Sequence, residues 1–182
     1  LNIVIGWTVL EAERNNTPPP GWVKPFIYLS IPWAFAIHTV TAFLYCGLPG
    51  RGFWLTAILA PRFLASAFAS GPALLILLCL FIRKATRFDP GRETIKALSL
   101  IVTYGLLANL FFLGCEFFVA FYSNIPSHKD HFVYLYAGLH GHDALAGWMQ
   151  ASVVLMALAQ VFLLIPATRK NHPILAVSCA LV

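Results

Sequence analysis

Apolar residues run in four long tracts, residues 26–47, 57–82, 94–122 and 142–165, separated by short polar connections. Each tract reaches the roughly 20 residues that a helix needs to cross the hydrocarbon core of a bilayer. Two shorter apolar tracts, 1–10 and 173–182, read as pieces of further spans, so the chain is expected to be part of a larger polytopic subunit. The fold class is therefore all-α: a polytopic transmembrane helical bundle with four complete spans and two partial ones, in a single domain over 1–182. No internal repeat or low-complexity linker divides it.

Proline, glycine and charge punctuate the pattern. Residues 11–24 are polar and carry Pro18-Pro19-Pro20-Gly21, which predicts a connection without helix. Pro32 lies inside the first span and Pro72 inside the second, where each predicts a kink; Pro61 falls in a first turn, where proline is tolerated. The second span carries Ala65, Ser66, Ala67, Ala69, Ser70 and Gly71, small enough for another helix to approach closely. Before the third span, Asp89 is placed as the N-cap, with Pro90 in the first helical position. Residues 123–141 read as the longest loop and hold His128, His131 and His140.

Composition agrees with a membrane protein: 59% hydrophobic residues, 10% charged and a mean hydropathy of +0.77. The formal net charge of +5 would suggest nucleic acid on a soluble protein, but here the basic residues sit in short connections and no nucleic-acid partner is expected. Arg14, Lys24, Arg83, Lys84, Arg87, Arg92, Lys96, Arg169 and Lys170 fall on one side, against Arg51 and Lys129 on the other. The positive-inside rule then places residues 11–25, 83–93 and 166–172 in the cytoplasm, and 48–56 and 123–141 outside the cell membrane. Cys46, Cys79, Cys115 and Cys179 are scattered, with no CxxC pair, which argues against an iron–sulfur cluster or structural zinc in this chain.

Against this apolar background the ionisable residues stand out, because charge inside a membrane is costly and marks pathways and sites. His38, Arg62 and Glu116 lie within three separate spans, and Asp143 opens the fourth. With the orientation above and a rise of ~1.5 Å per residue, the three lie about 14, 8 and 9 Å below the outer ends of their spans, all in the outer half. Helical spacing adds polar neighbours: Thr41 and Tyr45 with His38, Ser66 and Ser70 with Arg62, Asn109 with Glu116, and Gln150 with Asp143.

This set holds groups that bind and release protons and one permanent cation. Quinol oxidation needs such a set, because it releases two protons as well as two electrons. His38 can bond one quinone oxygen, Glu116 can accept a proton, and Arg62 can hold a carboxylate in place. The candidate quinone-binding residues are His38, Arg62, Glu116, Asp143, Thr41, Tyr45 and Ser66; those for proton transfer are His38, Glu116, Asp143 and His142. Plainer readings stand beside these: His38 bonded to a helix carbonyl, Arg62 snorkelling to the headgroups, Asp143 a helix cap, and the loop histidines binding no metal. Two other functions remain open, a proton-translocating or purely anchoring subunit and a haem b cytochrome. The latter would need a second axial histidine facing His38.

The stretches LSIPWAFAIHTVTAFLYCGLPGR, APRFLASAFASGPALLILL and FYSNIPSHKDHFVYLYAGLHGHDALAGW resemble the NrfD/polysulfide reductase family of integral membrane subunits, and most resemble its DsrP subfamily. The resemblance implies a haem-free, metal-free helical subunit that exchanges electrons with a quinone, normally menaquinone, near the outer face. It implies a ferredoxin-like extracytoplasmic iron–sulfur partner, with a multihaem cytochrome c and other membrane subunits in a respiratory complex of sulfite and sulfur metabolism. Such a subunit is not catalytic alone. His38 matches the family's histidine in this span; lipid and quinone complete the implied partners.

Overall fold

The computed structural model describes residues 1–48, 50, 52–86 and 89–182. Arg51 and Arg87, which weigh on opposite sides of the charge balance, and Pro49 lie outside the described residues. The described chain is helical almost throughout: α1 (Asn2–Arg14), α2 (Val23–Cys46), a 3-10 turn (Gly52–Trp54), α3 (Leu59–Ala85), α4 (Arg92–Tyr122), α5 (Pro126–Tyr136), α6 (Ala146–Leu164), α7 (Pro166–Lys170) and α8 (His172–Ala180). Helices α2, α3, α4 and α6 are long and apolar enough to cross a membrane. Their outward faces expose large apolar side chains such as Phe43, Leu74, Phe81 and Phe111, the surface that lipid covers. The chain is a multi-pass membrane protein.

Several boundaries differ from the sequence expectation. α1 continues through Glu11, Glu13 and Arg14 into the connection expected to lack helix, because nothing before Pro18 breaks the ladder. α2 starts at Val23, with Pro25 in its first turn, where no N–H is needed. Asp89 does not cap α4. Its Oδ1 accepts a bond from the Gly91 N–H at 3.2 Å, and Gly91, at φ +79°, is the residue that precedes the helix. The expected 123–141 loop contains α5, and α6 begins later than residue 142. In between, Leu139 and His142 exchange backbone bonds around His140 and Gly141, both at positive φ, which makes a tight hairpin-like turn.

The core lies where α3, α4, α6 and α8 meet: Ala69, Ala73 and Ile76 against Val102 and Leu106, then Ala159, Leu163, Leu175 and Cys179. Of the small residues of α3, Ala65 and Ala69 are buried, whereas Ser66, Ser70 and Gly71 are exposed. A Cβ on Gly105 would lie 2.8 Å from the backbone of Phe68 and Ala69, so the two backbones approach as closely as glycine permits. α2 packs on α3 and α1 and is otherwise mostly exposed.

Candidate functional site

The α3–α4 contact positions the site. The helices run antiparallel, so the first turn of α3 lies beside the last turns of α4. Arg62 is therefore brought to Glu116, and its Nη1 donates directly to Glu116 Oε2. The Glu116 side chain is only 7% exposed and that of Arg62 is 24% exposed. The pair is thus sealed on the carboxylate side and reachable on the guanidinium side. Burying either charge alone in an apolar bundle would be costly, and each offsets the other's desolvation.

α5 covers this pair. Its Phe132 is buried between Phe53 and Phe117, with ring centroids 5.3 and 5.0 Å away, and Phe117 also meets Tyr136 at 4.8 Å. Phe132 and Tyr136, four residues apart, form one face of the helix. The Tyr136 phenol is close enough to feel both members of the pair. Burial pushes it above its usual range, while the Arg62 charge draws it down and Glu116 pushes it further up. It is therefore a neutral hydroxyl that can donate. Gln150 of α6 holds the end of α5 through a 2.6 Å bond from its Nε2 to the Tyr136 carbonyl. Beside Glu116 a small cavity of about 50 Å³ reaches His128 on α5, walled by Phe53, Ile58, Ala120 and Phe132.

The other candidates are placed differently. His38 is half-buried on α2, and its Nδ1 bonds the Ala34 carbonyl at 2.8 Å. The ring contacts Phe35–Phe68 and Tyr45–Phe63 bracket it at about the level of Ser66, one helical turn deeper than Arg62. The Thr41 hydroxyl bonds its own helix at Ile37, and the Tyr45 ring packs on Trp54 at 4.9 Å. Ser66 and Ser70 are exposed rather than facing the interior, and Ser70 bonds back to the Ser66 carbonyl. Such bonds satisfy hydroxyls within one helix and remove the need for a facing partner. Asp143 and His142 are exposed in the turn before α6. Asp143 sits against Gly138, where a Cβ would come within 2.9 Å of the Asp143 Cβ. The structure thus brings Arg62 and Glu116 into contact and leaves His38, Asp143 and His142 outside that contact.

Two nearby residues were not legible in the sequence. Tyr136 and His128 sit in what reads there as a wet loop, and only the Phe132–Tyr136 spacing hints that an amphipathic helix lies there. Among the described residues no three histidine, cysteine or acidic side chains converge as a metal site. Among the described residues no second histidine is placed to share a haem b with His38. The other five histidines lie on α5, in the turn after it and at the start of α8, so none faces His38 at its depth.

Comparison with known proteins adds a relationship. A family model described as Polysulphide reductase, NrfD, matches residues 7–182. Over 84 residues the chain is 30% identical to a protein of Halobacterium salinarum described as a membrane subunit of dimethyl sulfoxide reductase, covering 46% of this chain and 19% of that protein. Over 121 residues it is 27% identical to a selenate reductase subunit of Mesobacillus selenatarsenatis, covering 66% of this chain and 27% of that protein. The chain thus spans well under half the length of these curated relatives.

Proposed function

The chain belongs to the polysulphide reductase NrfD family, and we propose that it forms the quinone-reactive part of a membrane subunit in a respiratory oxidoreductase complex. The observation that carries this reading is the Arg62–Glu116 pair, buried at one end of an apolar bundle and approachable from the guanidinium side. A quinone carries its two oxygens on opposite sides of a ring. On this reading Arg62 and Tyr136 bond one oxygen and His38, on the adjacent helix and one turn deeper, bonds the other. Glu116 takes up a proton released on quinol oxidation, and the small cavity leads from it to His128. The two electrons leave to an iron–sulfur partner. Thr41, Tyr45 and Ser66 shape the α2–α3 side of the entrance, and Asp143 and His142 lie on the outward proton route.

The residues suit this ligand chemistry: a carboxylate held by a permanent cation, a neutral phenol, an imidazole, and apolar walls for an isoprenoid tail. The finer assignments belong to the same proposal. Menaquinone is the quinone, the pair lies toward the extracytoplasmic face, and an extracytoplasmic ferredoxin-like subunit is the electron partner, alongside a multihaem cytochrome c and other membrane subunits. Sulfite or sulfur metabolism, as in the DsrP-like subfamily, is the setting. The relatives' sulfoxide and selenate chemistry is their own, but both names describe subunits of reductases, which supports the class of complex proposed here.

Transmembrane proton translocation draws less support. Toward the other membrane face, the buried polar residues among those described are Asn109, Thr103, Ser99, Gln160 and Ser178, and none of them titrates. The test is oxidation of a menaquinol analogue by the intact complex carrying Glu116→Gln or His38→Ala. A loss of turnover with assembly intact is expected; unchanged turnover in both variants would refute the site.

A further inference from the structure

At the opposite end of the bundle from the Arg62–Glu116 pair, the start of α4, the α6–α7 junction and the start of α8 enclose a cavity of about 560 Å³. Arg92, Lys96, Arg169 and His172 line it, against one acidic residue, Glu93. Glu93 stands 3.8 Å from Lys96 and leaves Arg92 and Arg169 without an ion pair among the described residues. The Arg83 guanidinium, which can only donate, lies 3.0 Å from His172 Nε2. His172 Nε2 must therefore accept, and the imidazole proton sits on Nδ1. That Nδ1–H is buried and has no partner among the described residues. The cavity thus presents unpaired cations beside the apolar side chains of Ile95, Leu100 and Pro166.

We propose that this cavity binds the phosphate of an anionic phospholipid headgroup. Phosphate supplies what the site lacks: negative charge for Arg92 and Arg169. The cavity lies at the membrane-boundary ends of transmembrane helices, where headgroups sit, and the apolar wall suits the glycerol and upper acyl chains. Its side of the bundle is the one that collects the basic residues, the side on which anionic lipids are attracted. The site is independent of the quinone reading.

The test uses the intact complex, exchanged extensively in detergent and then analysed for bound phospholipid. Arg92→Gln/Arg169→Gln should retain about thirtyfold less phosphatidylglycerol than the parent, the loss expected from removing two near-surface cations. Arg92→Lys/Arg169→Lys controls for folding and should retain most of it. Lys129→Gln, on the other side of the bundle, should change nothing. Thermal protection is measured in parallel with phosphatidylglycerol nanodiscs, phosphatidylcholine nanodiscs and inorganic phosphate. Protection by phosphatidylglycerol alone, lost in the Gln variant, is the expected result. Equal lipid retention by parent and Gln variant would overturn the proposal. So would protection by inorganic phosphate without any by the anionic lipid, which would make this a free-anion site.

Discussion

The backbone of Gly105 lies directly on the carbonyl group of Phe68: a Cβ at residue 105 would come 2.8 Å from the Phe68 carbonyl carbon and 3.0 Å from its oxygen. These are backbone atoms, which cannot rotate away as a side-chain tip can. This contact sets the spacing of α3 and α4, and that spacing places Arg62 on Glu116. Gly105→Ala should therefore push the helices apart and destabilise the bundle by about 1–3 kcal/mol, the usual cost of overpacking. Thermal unfolding of the purified complex measures it. A second readout, turnover with a quinol analogue, should fall as well, because the displacement is carried to the pair.

Breaking the pair from either side should have unequal consequences. Glu116→Ala leaves Arg62 without its anion in an apolar setting and should cost on the order of 3 kcal/mol. Arg62→Ala leaves the more deeply buried charge unpaired, but a carboxylate can take up a proton and so escape part of the penalty. The expected order is that Arg62→Ala unfolds at a higher temperature than Glu116→Ala at acidic pH, with the difference shrinking as pH rises. Unfolding of both variants at the parent's temperature at every pH would mean that the pair contributes nothing to stability.

Gln160 of α6 is 5% exposed, and neither polar atom of its amide has a hydrogen-bond partner among the described residues. An unpartnered buried amide costs about 1–3 kcal/mol. Gln160→Leu, of similar volume, should raise the unfolding temperature of the complex. A fall would show that the amide is bonded in the assembled protein and belongs to its working structure.

Tyr136 gives a pH prediction outside the spans. Burial raises its phenol above the ordinary value of 10.0, so the neutral form is favoured in the folded protein. The associated stability is fully present below about pH 10, where the unfolded tyrosine would ionise, and is lost as pH rises through the higher folded value. The tyrosinate absorbance that disappears in Tyr136→Phe should therefore develop only above about pH 10. Ionisation below that point would place the phenol in water rather than beneath α5.

Helix α5 and the polar stripe on α3 depart from the sequence expectation for different physical reasons. α5 carries only a short apolar face, and Phe132 and Tyr136 become informative once Phe53 and Phe117 are seen around them. The polar stripe expected on α3 failed because Ser70 bonds its own helix and asks nothing of a neighbour. In α4 the stripe held: Asn109 and Glu116 are both buried, because a carboxylate and an amide cannot be satisfied along a helix so readily and must find partners on another. Asn109 meets Met156 Sδ at 3.3 Å, and Glu116 meets Arg62.

Apolar run length by itself determined the all-α class, the four crossings and the residues whose charge needed explaining, because a bilayer fixes how long an uncharged helix must be and penalises every exception. Which exceptions touch was decided only in three dimensions. Residues 62 and 116 are 54 positions apart and meet because Gly105 lets two backbones close together, while His38, on a neighbouring helix, turns back to Ala34. Sequence spacing reports the face of one helix; the rotation and approach of two helices depend on packing volumes distributed along both.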